Sequence, residues 1–370
     1  MSDFIPVNTP LLIGNEKKYL NQCIDTGWIS SEGPFVKEFE EKFSERVGRQ
    51  FGVAVANGTV ALECAVRALG LQPGDEVIMP TFTIISCIQA LINNQLKPVL
   101  VDSLSDTWNM DTASIRAKIT DKTKAIMVVH TYGLPVEMDA VLSLAKEFNL
   151  KVIEDAAEAH GLMYKDKPCG SFGDIGIFSF YPNKLITTGE GGMIVMNDKS
   201  LYKQCCYLRN LAFDNPRFVH EDLGYNFRMS NIQAALGLAQ LEQLDEFIER
   251  KHNMGLYYQN NLQEIEHLQC PIAETPYAKN IYWVFGLIVE KMKATQIMQL
   301  LSEKRIGTRP FFYPMHLQPA LTKTGLFKEE QYPQAEHISQ YGFYLPSGLA
   351  LTKLELERVV QAVQSILTEI

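Results

Sequence analysis

The sequence predicts an α/β protein: a mostly parallel sheet of seven strands sandwiched by helices, followed by a smaller α+β unit. Two observations carry this. Between residues 51 and 197, short apolar runs alternate with helical patterns, as in sheets covered on both faces. Beyond Ser230 the alternation gives way to a long helical pattern, one further apolar strand and more helices. At 370 residues the chain exceeds the usual size of a single domain. The expected division is a large domain over 1–245 and a small C-terminal domain over 246–370.

The elements follow in order. FGVAVA (51–56) reads as a strand and Thr59 to Leu69 as a helix. EVIMP (76–80) is a strand, with a helix over about 84–94 behind it. PVLVD (98–102) and AIMVVH (125–130) are strands, the second followed by a helix from Asp139 to Phe148. KVIED (151–155), GIFSFY (176–181) and GMIVMN (192–197) complete the seven. Ser230 and Gln233 have capping-box spacing at the head of one long helix. Ile232, Leu236, Ala239, Leu244, Phe247 and Ile248 approximate its apolar stripe. YWVFGLIVE (282–290) reads as a strand, 293–304 as a helix, and Lys353 to Leu367 as the last helix.

Composition excludes several function classes. A net charge of −9 argues against a nucleic-acid or membrane-surface binder. Seven scattered cysteines with no C-x-x-C read as free thiols rather than a disulfide framework or zinc site. MSDFIPVNTP lacks the basic and apolar regions of a signal peptide. About twenty uncharged residues separate Glu76 from Lys97, but Pro80, Gln89, Asn93 and Asn94 interrupt them. A strand end, loop and helix fit better than a membrane span. The expected protein is cytoplasmic, with no metal.

Three features point to chemistry. In ANGTVAL (56–62), Gly58 permits a tight turn and Thr59 opens a helix. Free N–H groups there suit a phosphate, although for the stretch taken alone an ordinary strand–turn–helix joint is the commoner explanation. In KVIEDAAEAHG (151–161), Asp155 ends an apolar strand, where open α/β sheets bind ligands. It suits the protonated ring nitrogen of pyridoxal phosphate (PLP), or caps the next helix. Glu158 follows within reach of the same ring, and His160 reads as a hydrogen-bonded structural histidine. In GDIGIFSFYPNKLITTGEGGMIV (173–195), Lys184 follows a strand and precedes a glycine-rich turn. A desolvated lysine there suits an imine with a carbonyl cofactor; exposure in a β-turn is the bland alternative. Ser179 can donate to a phosphate. The order of phosphate cup, carboxylate and lysine is that of fold-type I PLP enzymes.

With GWISSEGPFVKEFEEKF (27–43), LGYNFRMSNIQAALGLAQLE (223–242) and RPFFYPMH (309–316), these stretches resemble the DegT family of sugar aminotransferases over nearly the whole chain. The FSFYPNKLITTGEGG wording is most similar to the branch that makes GDP-perosamine by aminating C4 of GDP-4-keto-6-deoxy-D-mannose with glutamate. Relatives acting on UDP- or dTDP-linked keto sugars, and PLP-dependent sugar dehydratases, remain as alternatives. The resemblance implies PLP on Lys184, passing through pyridoxamine phosphate, with Gly58, Thr59 and Ser179 at its phosphate. It implies Asp155 at the ring nitrogen and Glu158 at the ring's phenolic oxygen. Asn226 would reach the phosphate of a partner subunit in a homodimer with shared active sites. Tyr313 and His316 match a segment that approaches the sugar nucleotide, and Arg309 offers charge to a diphosphate. Many relatives stack an aromatic on the ring where this chain has Ile84, so Ile84, Phe82 or another group must serve. Perosamine points to O-antigen lipopolysaccharide or a related glycan.

Overall fold

The computed structural model describes residues 3–368. Strands β1 (Phe51–Val55), β2 (Glu76–Pro80), β3 (Lys97–Val101), β4 (Thr123–Val129), β5 (Lys151–Asp155), β6 (Ile175–Ser179) and β7 (Gly192–Met196) form one sheet. Its order is β1-β7-β6-β5-β4-β2-β3. Only β7 runs against its neighbours; it pairs antiparallel with β1 and β6, and the other pairs are parallel. Six strands therefore point their carboxyl ends to one edge, which is where α/β sheets bind ligands.

Alternation along the strands builds two apolar layers. Ala54, Ile78, Ile126, Val128, Val152 and Phe178 face helices α1 (Glu16–Thr26) and α2 (Pro34–Val47). Val53, Val55, Met79, Met127, Ile153 and Ile177 face α3 (Gly58–Ala68) and α4 (Ile85–Asn93). Phe35, Phe39 and Phe43 in the first layer and Ala61, Leu62 and Leu91 in the second are buried. Asn57 caps α3 by accepting from the Val60 N–H at 3.0 Å. This fixes the helix start beneath the sheet edge.

The long helix expected after Ser230 is instead two helices, α5 (Asn231–Leu241) and α6 (Leu244–Leu262), after a turn at Glu242–Gln243. The capping box at Ser230 and Gln233 is present. The break lies where Asn15 and Tyr19 of the α1 region grip the Glu242 carboxylate at 2.7 and 2.6 Å. Helix α5 is thereby tied to α1. Farther along, Met254, Tyr258 and Leu262 of α6 enter a third core.

That core surrounds a sheet of four short strands, β8 (Leu268–Gln269), β9 (Gly286–Val289), β10 (Arg309–Pro310) and β11 (Gly342–Tyr344), in the order β8-β9-β11-β10. Helices α7 (Ala294–Glu303) and α8 (Lys353–Thr368) cover it. The strand expected over 282–290 is shorter: residues 282–285 lie outside the ladder, with Trp283 and Val284 packed in the large sheet's second layer and Tyr282 and Phe285 in the third core. Ile5 from the N-terminal segment joins this core through a parallel bridge to Ile306. Among the described residues, no helix is long and apolar enough to cross a membrane, and all seven cysteines are free.

Candidate active site

A cavity of about 560 Å³ opens at the carboxyl edge of the large sheet, walled on the other side by residues around the small four-stranded sheet. Asn57, Gly58 and Thr59 come from the start of α3, Thr83, Ile84 and Ser86 from the start of α4, and Asp155 and Glu158 from the end of β5. Ser179 ends β6, and Lys184 follows it. Trp283, Arg309, Phe312 and Tyr344 close the far wall.

The base of the cavity is a cradle. Val60 is already bonded to Asn57, so Gly58 and Thr59 supply the N–H groups ahead of it, where a helix lacks internal partners. The Thr59 and Ser86 hydroxyls meet at 2.8 Å. A Cβ on Gly58 would lie 2.7 Å from that of Ser179, so glycine is required for the two segments to approach. Backbone N–H groups and three hydroxyls at a helix N-terminus form a phosphate site.

The charged groups lie above. Asp155 is 2 % exposed; its Oδ1 accepts from the Ala157 N–H at 3.0 Å and its Oδ2 from the Cys87 thiol at 3.1 Å. Burial raises its proton affinity. Glu158 accepts from the Tyr132 N–H at 3.0 Å and stands 3.6 Å from the Lys184 Nζ. Burial pushes its carboxyl up to about 7, against the pull of Lys184. The Lys184 amine is lowered by burial, opposed by Glu158 and Asp155. Its Nζ sits over the Trp283 ring, 4.0 Å from the centroid. A buried lysine of reduced basicity, two carboxylates and a phosphate cradle in one cavity match the donor set that PLP requires.

The comparisons with known proteins agree. A profile of the DegT/DnrJ/EryC1/StrS aminotransferase family matches residues 10–364. The chain belongs to this family. It is 44% identical to a GDP-perosamine synthase of Escherichia coli O157:H7 over 365 residues, 98% of each chain. The X-ray structure of an aminotransferase from Psychrobacter cryohalolentis superposes with a TM-score of 0.92 at 29% identity, covering 99% of both chains. A putative sugar aminotransferase of Streptococcus pneumoniae in its PLP form reaches 0.92 at 26% identity, covering 99% of both. The family resemblance and the α/β fold expected from the motifs are thus shown.

The remaining sequence candidates fall in different places. Arg309 lines the cavity mouth. Tyr313 is half exposed and outside the lining. His316 lies outside the cavity lining. It is 2 % exposed, its Nδ1 meets Thr81 Oγ1 at 2.9 Å and its Nε2 meets Glu336 at 3.0 Å. Both ring nitrogens are engaged, and the ring packs on Tyr332 away from the cavity. Asn226 lies outside its own chain's cavity and accepts from Arg228 at 3.0 Å. Ile84 does line the cavity, whereas Phe82 is fully buried against Tyr132, Phe311 and Phe312. Phe82 is therefore excluded as a replacement stacking group. His160 is held among Phe43, Phe178 and Phe180, and burial drives its basicity down to about 3.

Sequence reasoning missed Asn57, Ser86, Cys87, Tyr132 and Trp283. Asn57 was findable, since an Asn before Gly-Thr at a helix start is a cap signal. Trp283 and Tyr132 carry no local signal; Tyr132 reaches the site from the loop after β4, and Trp283 from the segment before β9.

Proposed function

We propose that this chain transfers the amino group of glutamate to C4 of GDP-4-keto-6-deoxy-D-mannose, giving GDP-perosamine, with PLP held on Lys184. One observation carries the chemical part. The Lys184 amine is buried in the same cavity as a carboxylate at a strand end and a glycine-requiring phosphate cradle. Identity of 44% over nearly the whole length to a GDP-perosamine synthase supports the choice of sugar.

Bound PLP supplies a carbonyl that takes up an amine and a protonated ring that stores an electron pair. The chain's own groups do the rest. Gly58, Thr59, Ser86 and Ser179 bind the phosphate and set the ring's depth. Asp155, on its strand end, keeps a proton on the ring nitrogen and so preserves its pull on electrons. Glu158 holds Lys184 on one side and reaches the ring's phenolic oxygen. Lys184 would hold PLP through its Nζ and, as a free amine, would serve as the proton carrier, base and then acid. Ile84 covers the ring with an aliphatic face. Arg309 at the mouth attracts the anionic groups of glutamate and of the nucleotide diphosphate. Asn226 lies outside its own chain's cavity, and the family resemblance makes it the residue that serves the partner's phosphate in a homodimer. Two substrates sharing one cavity imply ping-pong kinetics. The same reading makes the enzyme cytoplasmic and a step toward O-antigen or a related surface glycan.

The test is an assay with glutamate against GDP-, UDP- and dTDP-linked 4-keto-6-deoxy sugars, following 2-oxoglutarate and product together. Amination of the GDP sugar with one 2-oxoglutarate per product is expected. Activity on UDP or dTDP sugars alone would remove the perosamine assignment. Loss of a sugar hydroxyl without 2-oxoglutarate release would make the chain a dehydratase instead.

A further inference from the structure

Lys184 rests against two groups that other residues hold in place. Its Nζ is 4.0 Å from the centroid of the Trp283 ring and 3.6 Å from Glu158 Oε1. Trp283 is 3 % exposed. Its indole N–H donates to the carbonyl of Asn183, the residue before the lysine, at 2.8 Å. Its own carbonyl accepts from the buried Lys251 ammonium at 2.7 Å. Tyr132 stacks on the indole, with centroids 6.0 Å apart and planes at 26°. The Tyr132 backbone N–H also anchors Glu158. An indole face and a carboxylate are therefore arranged around one ammonium before the lysine contributes anything.

We propose that Trp283 is a positioning residue for Lys184: with Glu158 it forms a rest site that holds the free ammonium whenever the lysine is not joined to the cofactor. The proposal rests on Lys184 being the cofactor lysine. Transamination releases that lysine in each half-reaction and later needs it back. A free four-carbon stem has many rotamers, and losing the amine to them would slow its return. An aromatic face attracts a cation most strongly in a site without water. The face also favours the ammonium over the amine, so it opposes the burial that lowers Lys184. The other groups facing Lys184 are Glu158, Asp155 and Cys87, which favour its charged form, and His160, whose own basicity Lys184 lowers. Each of these can exchange a proton. Trp283 cannot, so it biases Lys184 without titrating.

The experiment uses the cofactor-free full chain. Lys184 is acetylated competitively across a pH series, and its labelling is read by peptide mass spectrometry. Trp283→Leu is expected to move the labelling midpoint down by about one unit, a tenfold loss of proton affinity. Trp283→Phe, which keeps a ring, is expected to move it by less than half as much. An unchanged or raised midpoint in Trp283→Leu, or an equal shift in both variants, overturns the proposal. A second measurement leaves Trp283 in place. With 5-fluorotryptophan incorporated, the Trp283 fluorine resonance should titrate at the Lys184 midpoint and become flat in Lys184→Met. A resonance that titrates equally in Lys184→Met overturns it as well. Neither readout uses turnover. Failure of the sugar panel would therefore remove the functional reading and leave the rest site standing, and the reverse outcome would remove only the rest site.

Discussion

Glu154 and Asp155 are neighbours on β5, both carboxylates and both buried, yet they belong to different parts of the molecule. Alternation along the strand sends them to opposite faces of the sheet. Glu154 accepts from His130 Nε2 at 2.8 Å, from the Phe172 N–H at 2.8 Å and from the Gly170 N–H. His130 in turn accepts from the Val136 N–H at 3.1 Å, so its ring is oriented and its proton points at Glu154. Cys169 lies in the same cluster. Every oxygen of Glu154 is bonded, and none faces a cavity. Asp155 has one backbone N–H and one thiol, a weak donor, and it faces the open site. Burial with full bonding ties loops together. Burial with bonding left over, beside a cavity, leaves a carboxylate able to act on something that enters.

Five substitutions break or sharpen this contrast. The largest effect belongs to the cavity side. Lys184→Ala should lower glutamate-dependent amination by at least about 10³-fold with an unchanged fold, since both its bond to the cofactor and its proton transfer are lost. Full turnover without added amine would end the scheme. Next, the two neighbours are exchanged for amides. Asp155→Asn should slow turnover by roughly 10²-fold and leave the melting temperature nearly unchanged. Glu154→Gln should cost about 3 kcal/mol of stability and spare the activity of the folded fraction. If Glu154→Gln instead lost activity at full stability, the division between the two faces would be wrong.

The fourth substitution uses pH. In the cofactor-free fold Glu158 holds its proton up to about 7, above its ordinary value of 4.5. Between those values the folded chain binds a proton that the unfolded chain has released. Its contribution to stability is therefore full below the unfolded value and is lost as pH rises through about 7. Glu158→Gln has no such proton. Compared with wild type, its denaturation midpoint should fall less between about pH 5 and about pH 7, by on the order of 1–3 kcal/mol. Parallel curves for the two proteins would place Glu158 in a polar, solvated setting instead. The smallest effect is expected at the cradle. Ser179→Ala should weaken PLP binding by about tenfold, one hydrogen bond to a charged group, measured by equilibrium dialysis.

Much of this molecule was legible before folding. Seven apolar runs became seven strands, since buried parallel strands have no polar face to disguise them. The cap at Ser230 was readable from two residues. Long-range contacts decided the rest. The helix after Ser230 breaks at Glu242, whose carboxylate is held by Asn15 and Tyr19, over 220 residues earlier. His316 is held between Thr81 and Glu336, which engage both its nitrogens. No periodicity reports either contact.

Lys184 shows the same division. The sequence by itself determined that a lysine follows a strand, beside small residues and downstream of a carboxylate and a helix-start glycine. Those are properties of neighbours along the chain, and motifs record them. The tertiary structure alone decided the lysine's surroundings: its desolvation, the carboxylate at 3.6 Å and the indole at 4.0 Å. Trp283 lies 99 positions away and arrives only when the small domain closes the cavity. A side chain's charge state depends on what is near it in space, and proximity in space is settled by packing.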